Sequence, residues 1–256
     1  MGALHAGHGA LIQRAAQQGL VLVSVFVNPL QFGPSEDFDH YPRTLDADCL
    51  MAEEWGAAAL WAPSVATVYP QDRQVPTRVA PVALQQHLCG AGRPGHFDGV
   101  VTVVARLLDL VRPQQIWLGE KDWQQLAVIR RMARDLDFGV EVVGAPIVRE
   151  ADGLALSSRN LRLSAEDRAR APGVYAALRA ARARAQGGET RAAGRGGLVE
   201  ATAEGIEAAG GRVDYVECVD KTSLRSLQVL EDPADALLAV AASYGDVRLI
   251  DNISLG

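Results

Sequence analysis

Residues 20–27 read Leu-Val-Leu-Val-Ser-Val-Phe-Val, and Asn28-Pro29 end the run. A continuous apolar and β-branched stretch of this length is typical of a strand that is buried on both faces of a parallel sheet. Proline lacks the backbone N–H that a sheet ladder needs, so the strand stops there.

Helical and strand-like segments alternate after it. Further strands are predicted at 57–61, 115–118 and 140–143, and helices at 44–54, 100–111 and 122–135, with Thr44 as the first N-cap. This βαβα order predicts an α/β fold with a doubly wound parallel sheet.

The pattern changes after about Pro146. We expect a hairpin over 146–160 that turns at Asp152-Gly153, a helix capped by Ser164, and a second helix over 198–209. The Gly/Arg/Ala-rich piece between them, 186–197, is typical of a flexible connection. Three strand-like runs follow at 213–219, 236–242 and 247–253. These elements predict a smaller α+β domain.

The bulk composition excludes several classes of partner. Of 256 residues, 48% are hydrophobic and 22% charged, and the formal net charge is −6, so we expect no nucleic-acid partner. No apolar run approaches the roughly 20 residues of a membrane span, so we expect no membrane partner. The cysteines, Cys49, Cys89 and Cys218, lack metal-ligand spacing, which fits a reducing cytoplasm.

The chain starts with Met1-Gly-Ala-Leu-His5-Ala-Gly-His8, and a helical pattern follows at once. A helix N-terminus favours phosphate, and two histidines around a glycine add imidazoles there. This arrangement suits a nucleotide triphosphate that is attacked at its α-phosphate. Two surface histidines in a glycine-rich loop are the alternative, and spacing alone does not decide between them.

Lys121 lies in a second stretch of this kind, Gly119-Glu120-Lys121-Asp122, directly after a predicted strand. It is one of two lysines in a chain whose cations are otherwise arginines. A cation near a helix N-terminus opposes the dipole unless an anion lies there, so we expect Lys121 to pair with phosphate. Asp122 is either an N-cap or a contact to ribose or metal-bound water. Gln125 is placed one helical turn after Lys121, on the same face.

Other polar stretches are weaker signals. Leu156-Ser157-Ser158-Arg159 supplies two hydroxyls and a guanidinium that suit a leaving pyrophosphate, although a hairpin end has the same composition. Arg93-Pro-Gly-His96 either lines a site or shapes its loop. Tyr41-Pro-Arg-Thr is interpreted as a structural turn, and His40 and His87 as surface residues.

Taken together, the motifs resemble the pantothenate synthetase family over nearly the whole chain. The resemblance lies in Met1–His8, 25–32 (Val-Phe-Val-Asn-Pro-Leu-Gln-Phe), 41–44, 93–97, 119–126, 152–160 and 249–252 (Leu-Ile-Asp-Asn). It implies an ATP-dependent ligase that joins pantoate to β-alanine through a pantoyl-adenylate intermediate. The products are pantothenate, a coenzyme A precursor, AMP and pyrophosphate.

The resemblance also implies an architecture and an assembly. It implies a Rossmann-like ATP- and pantoate-binding domain over 1–147, a C-terminal α+β lid domain over 148–256, a cytoplasmic homodimer and a need for Mg²⁺, whose ligands are unknown. The family pattern implies an ATP site made of Met1, Gly2, Ala3, Leu4, His5, Ala6, Gly7, His8, Gly119, Glu120, Lys121, Asp122, Val148, Leu156, Ser157, Ser158 and Arg159.

The resemblance assigns individual roles as well. His8 has the family's proton-donor role, His5 stabilises the phosphates beside it, and Lys121 completes the catalytic set. Gln31 and Gln125 are implied to bind pantoate, and Gln31 also to face β-alanine.

Two departures from the family pattern leave alternatives. Ala6 replaces the usual acidic residue between the histidines, and we expect a small effect. Relatives carry a further N-terminal segment, so we expect the first strand of the usual fold to be missing here. A truncated, weakly active or inactive nucleotide-binding relative is therefore an alternative, as is a nucleotidylyltransferase that stops at a nucleotidylated product.

Overall fold

The computed structural model describes residues 2–32, 38, 43–70 and 77–256, with the backbone alone for 189–196. Met1, His40 and Tyr41 lie outside the described residues. The helices are α1 (Ala6–Ala16), α2 (Leu45–Glu54), α3 (Val65–Val68), α4 (Leu88–Ala91), α5 (His96–Val111), α6 (Trp123–Asp135), α7 (Ala165–Arg170), α8 (Gly173–Gln186) and α9 (Glu189–Ala208). The strands are β1 (Leu22–Ser24), β2 (Ala59–Trp61), β3 (Gln115–Gly119), β4 (Glu141–Ala145), β5 (Arg212–Asp220), β6 (Ala236–Tyr244) and β7 (Val247–Ser254).

The chain folds into two units. The first contains Met1–Glu120 and Val128–Pro146, and the second contains Lys121–Ala127 and Ile147–Gly256. The short segment that includes Lys121 and Gln125 thus groups with the C-terminal part of the chain. No helix among the described residues is long and apolar enough to cross a membrane.

Parallel strand pairs organise the first unit. β1 pairs with β2, from Leu22 opposite Ala59 to Ser24 opposite Trp61, and β3 pairs with β4 over five positions. No ladder joins the two pairs within the described residues. Parallel pairs connected through helices make this unit a mixed α/β structure, as predicted.

The strand predicted at 20–27 is shorter than its apolar run. Only Leu22–Ser24 has a ladder partner, and Leu20 is 95% exposed, so burial of the whole run on both faces is wrong. The apolar run continues beyond the ladder because Phe26 packs into a core cluster with Val68, Tyr69 and Val103 instead of pairing in a sheet.

Two helices of the first unit pack against β3 and against the turn that follows the first apolar run. α1 packs against β3, and α5 packs against the 3-10 turn Pro29–Gln31 that follows the first apolar run. Gly99 allows this approach, since a Cβ there would lie 2.3 Å from the Leu30 carbonyl oxygen. α5 begins at His96, four residues earlier than the apolar pattern predicts.

An antiparallel sheet forms the core of the second unit. β5, β6 and β7 pair in sequence order, and all nine residues of β6 are buried. Aliphatic side chains from α8, α9 and the sheet form one apolar cluster, which includes Leu178, Leu198, Ile206 and Leu238. The three predicted strands are confirmed.

The structure tests two further predictions for this part of the chain, the hairpin over 146–160 and the flexible connection over 186–197. The hairpin is confirmed, because Arg149 bridges to Ala155 and Gly153 takes a positive φ of 95° at the turn. The prediction of a flexible connection over 186–197 is wrong, because α9 already begins at Glu189. Alanine and arginine favour helix strongly enough to offset the glycines there.

Candidate active site

The start of α1 brings two histidines together. His5 is the N-cap residue, and its Nδ1 accepts a hydrogen bond from the Gly7 backbone N–H at 3.1 Å. The Nδ1 of His8 accepts from the His5 backbone N–H at 3.2 Å. The two side chains form a reciprocal capping box, a role more usual for Ser or Thr paired with Glu or Gln.

These bonds decide which ring nitrogen carries the proton. A backbone N–H can only donate, so Nδ1 of each neutral ring is the acceptor and the proton lies on Nε2. The ring centroids of His5 and His8 lie 4.1 Å apart. The helix start therefore holds two Nε2–H donors side by side. Because the Gly7 N–H is bonded to His5, the imidazoles, rather than this amide, are the groups suited to an anion.

Asp48 of α2 holds the loop that leads into this helix. Its carboxylate accepts from the Ala3 N–H at 3.0 Å, from the Leu4 N–H at 2.8 Å and from the Thr44 hydroxyl at 3.2 Å. The side chain is fully buried. Gly2 takes a φ of 94°, and a Cβ there would lie 3.1 Å from the Asp48 carboxylate. Thr44 occupies the N-cap position of α2 as predicted, but its side chain makes no cap hydrogen bond and donates to Asp48 instead.

Replacing Asp48 with alanine should lower the free energy of unfolding by about 1–3 kcal/mol, because two backbone N–H groups lose their acceptor. Urea unfolding followed by circular dichroism measures this change. Asp46→Ala is the matched control, since Asp46 lies exposed in the first turn of the same helix. Equal losses in both variants would contradict the role given to Asp48.

Asn28 fixes the orientation of Gln31. The Asn28 Oδ1 accepts from the Leu30 N–H at 3.2 Å and from the Tyr69 hydroxyl at 2.9 Å. Its Nδ2 donates to the Gly99 carbonyl at 3.0 Å and to the Gln31 Oε1 at 3.2 Å. Burial raises the pKa of Tyr69, so its hydroxyl stays a donor. Because Oε1 faces Asn28, the other end of the Gln31 amide is the N–H₂ donor.

His96 supports the same turn through the backbone. Its Nδ1 donates to the Gln31 carbonyl at 2.9 Å, since a carbonyl only accepts, and its Nε2 accepts from Arg93 Nη1 at 3.0 Å. Of the two interpretations of Arg93-Pro-Gly-His96, the structure supports the one in which the motif shapes a loop. The loop that it shapes is the one that carries Gln31.

Lys121 lines a narrow cavity in the second unit. It lies in the 3-10 turn Glu120–Asp122, directly before α6, which begins at Trp123, so Lys121 precedes a helix N-terminus as expected. Asp122 is exposed, and Gln125 is half-buried in the first turn of α6. The cavity is lined by Lys121, Leu154, Ala155, Ser157, Arg159, Val174, Arg248, Leu249, Ile250 and Asp251. Three residues of the predicted ATP site, Lys121, Ser157 and Arg159, therefore come together.

The loop after the hairpin is held by its own backbone. The Leu156 N–H donates to the Val148 carbonyl at 2.9 Å. The Ser157 hydroxyl accepts from the Arg159 N–H at 3.2 Å and caps the 3-10 helix Ser158–Arg162. Ser158 and Arg159 are exposed. This is a hairpin end with a polar tip, and binding of pyrophosphate by this stretch stays a prediction.

The predicted site residues thus fall into two groups. The first unit holds Gly2, Ala3, Leu4, His5, Ala6, Gly7, His8, Gln31, Gly119 and Glu120, and the second holds Lys121, Asp122, Gln125, Val148, Leu156, Ser157, Ser158 and Arg159. Among the described residues, no group of three or more His, Cys, Asp or Glu side chains is arranged to hold a metal ion.

Sequence reasoning missed two supporting residues, Asp48 and Asn28. Asp48 lies one helical turn before Ala52, and both are buried in α2, so an acidic residue in register with an apolar one was the signal that could have found it. Asn28 belongs to a motif that follows the first predicted strand, where ligands bind in parallel sheets, but nothing in that motif indicates that Asn28 orients Gln31.

Comparison with known proteins gives a consistent match. The family model described as pantoate–β-alanine ligase matches residues 1–254. A bifunctional pantoate ligase/cytidylate kinase of Parasynechococcus marenigrum (strain WH8102) is 56% identical over 253 residues, which are 98% of this chain and 48% of that protein. The chain spans about half the length of the curated bifunctional relatives that it matches first.

Solved structures match over most of their own length. Pantothenate synthetase from Thermus thermophilus is 48% identical with a TM-score of 0.90, over 100% of this chain and 91% of that chain. Pantoate–β-alanine ligase from Francisella tularensis, complexed with β-γ ATP and β-alanine, is 32% identical with a TM-score of 0.77, over 100% of this chain and 87% of that chain.

Proposed function

Because the chain belongs to the pantoate–β-alanine ligase family, we propose that it joins pantoate to β-alanine at the expense of ATP. The products are pantothenate, AMP and pyrophosphate, so the chain is proposed to act in pantothenate biosynthesis. The observation that carries this proposal is the His5–His8 capping box, which fixes two Nε2–H donors at the start of α1.

The first proposed step forms pantoyl adenylate. A carboxylate oxygen of pantoate attacks the α-phosphorus of ATP, and the bond from that phosphorus to the oxygen bridging the α- and β-phosphates breaks. Pyrophosphate leaves with the bond's electron pair. Negative charge builds on the phosphate oxygens during attack, and the Nε2–H groups of His5 and His8 are suited to stabilise it.

The second proposed step forms the amide. The unprotonated amine of β-alanine attacks the acyl carbon of pantoyl adenylate, the acyl–oxygen bond to AMP breaks, and the amine loses a proton. AMP is a far better leaving group than the oxide ion that a free carboxylate would have to lose. Dividing the reaction into two steps therefore makes amide formation easier.

Two glutamines are proposed to bind pantoate. Asn28 turns the Gln31 amide so that its N–H₂ end is the donor, which suits the hydroxyl or carboxylate oxygens of pantoate. The same donor is proposed to face the carboxylate of β-alanine. Gln125, half-buried at the start of α6, is the second pantoate ligand.

The remaining site residues are proposed to bind MgATP. They are Met1–His8, Gly119–Asp122, Val148 and Leu156–Arg159, with Lys121 placed to pair with the departing pyrophosphate. Mg²⁺ keeps several waters and is bound largely through substrate phosphates, so it enters as part of the substrate.

The finer architecture is also a proposal. We infer that β1–β2 and β3–β4 belong to one Rossmann-like doubly wound sheet. Both pairs are parallel and lie in the same unit, which supports this arrangement. Residues 1–147 would then form the ATP- and pantoate-binding domain and 148–256 the lid domain. The family resemblance supports a cytoplasmic homodimer.

Product release tests the function. With MgATP and pantoate alone, we expect about one equivalent of pyrophosphate per chain, and with β-alanine we expect continuous release of AMP and pyrophosphate. Formation of ADP and inorganic phosphate, or AMP release that is independent of pantoate, would contradict the proposal.

Replacing Gln125 with alanine should raise the KM for pantoate about tenfold, the usual effect of losing a hydrogen bond to bound substrate, and leave the KM for ATP nearly unchanged. Steady-state kinetics with each substrate varied measures both constants. Gln186→Ala, at an exposed position in the same unit, is the control and should change neither constant. A parallel rise in both KM values for Gln125→Ala would assign Gln125 a structural role.

A further inference from the structure

Asn252, near the end of β7, contacts the backbone of Lys121. Its Nδ2 donates to the Lys121 carbonyl oxygen at 3.0 Å, across 131 positions of sequence. Asn252 is only 5% exposed. A second bond holds the same segment, since the Trp123 indole N–H donates to the Lys221 carbonyl at 2.9 Å. These two bonds tie Lys121–Ala127 into the C-terminal unit.

An ion pair holds Asn252 in turn. The Arg149 guanidinium donates to both oxygens of Asp251, at 2.6 and 2.9 Å. The Asn252 N–H donates to an Asp251 carboxylate oxygen at 2.8 Å, and the Asn252 carbonyl accepts from Arg149 at 3.5 Å. The backbone of Asn252 is thus bonded on both sides by the pair.

The Arg149–Asp251 pair is largely buried, and burial disfavours charged groups. The side chains of Arg149 and Asp251 are 15% and 4% exposed, and Arg149 stacks on the Tyr175 ring at 3.6 Å from its centroid. Buried ion pairs are often no more stabilising than apolar residues of the same size. A buried ion pair that also bonds the backbone of Asn252, beside the cavity that Lys121 lines, is therefore better explained by placement of that lysine than by stability alone.

We propose that Asn252 is a positioning residue for Lys121, and that the Arg149–Asp251 pair holds Asn252 in place. This inference rests on the proposed function, in which the Lys121 ammonium pairs with the departing pyrophosphate. Fixing the Lys121 carbonyl fixes the 3-10 turn from which the side chain extends. A small displacement of a group that acts in the transition state strongly lowers the reaction rate.

A double-mutant cycle tests the proposal. Asn252→Ala should lower the rate constant for pantoate-dependent pyrophosphate release about tenfold, the scale of one hydrogen bond, with little change in the KM for ATP. Lys121→Met removes the ammonium. Because Asn252 acts through Lys121, the double variant should be no slower than Lys121→Met alone, within about twofold.

Controls separate this role from a structural one. Thr202→Val removes a buried hydroxyl of the same unit, which donates to the Leu198 carbonyl inside α9, and should leave the rate unchanged. Asn252→Asp keeps the side-chain shape without the N–H donor, so it should lose rate as Asn252→Ala does even if the alanine variant is unstable.

The outcomes distinguish failure of the positioning role of Asn252 from failure of the proposed ligase function. Losses that multiply in the double variant, or an Asn252→Asp variant at the wild-type rate, would overturn the positioning role while the ligase function stands. A wild-type chain that releases no pyrophosphate with MgATP and pantoate would overturn the proposed function, and this inference with it.

Discussion

Replacing His8 with alanine should lower the rate of pantoate-dependent pyrophosphate release about 10²- to 10³-fold, the usual effect of losing one transition-state donor. The His8 Nδ1 is bonded to the His5 N–H, so the ring proton lies on Nε2, which is the donor that the variant loses. Rapid-quench measurement of pyrophosphate formation, at saturating MgATP and pantoate, gives the rate constant of this step.

A second substitution separates the donor from the helix cap. His8→Asn can still accept from the His5 N–H through Oδ1 but has no Nε2–H, so it should be as slow as His8→Ala while melting closer to wild type. His87→Ala, at the N-cap of α4, is the control for removing a histidine elsewhere in the first unit. A His8→Asn variant with the wild-type rate would show that His8 serves α1 alone.

Replacing Lys121 with methionine should lower the same rate about 10²- to 10³-fold, because the cation proposed to pair with pyrophosphate as it leaves is removed. Methionine keeps much of the length of the side chain, so loss of packing is small. Quench-flow measurement over a range of ATP concentrations should show the loss mainly in the rate constant of the step.

Lys221 is the matched control, as the other lysine of the chain. Its ammonium donates to the Ser254 hydroxyl at 2.7 Å and to the Ala234 carbonyl, so it has a structural role within the C-terminal unit. Lys221→Met should lower stability and leave the rate of pyrophosphate release near wild type. Equal losses of rate in the two variants would contradict the role assigned to Lys121.

Elements with a simple local signal could be predicted from the sequence. β6 begins with seven consecutive apolar residues, and all nine of its residues are buried. The turn at Asp152-Gly153 needs a left-handed residue, which Gly153 supplies. Elements that depend on distant partners were predicted less well. The first apolar run has a ladder partner only at Leu22–Ser24, and the start of α9 was obscured by glycines.

The candidate site could likewise be predicted only in part from the sequence. Its polar motifs follow predicted strands or begin helices, so their positions could be predicted from order along the chain. The supporting groups could not. Asp48 bonds amides 44 and 45 positions away, and Asn252 bonds a carbonyl 131 positions away. A single buried polar residue leaves no periodic pattern, because its partner is defined only in the folded structure.

Transfer of labelled oxygen tests the central claim most directly. Pantoate carrying oxygen-18 in both carboxylate positions is incubated with the chain, MgATP and β-alanine, and the products are analysed by mass spectrometry. Attack of the carboxylate on the α-phosphorus predicts that one labelled oxygen appears in AMP and the other stays in the amide carbonyl of pantothenate. Unlabelled AMP, or label in inorganic phosphate, would contradict an acyl-adenylate mechanism.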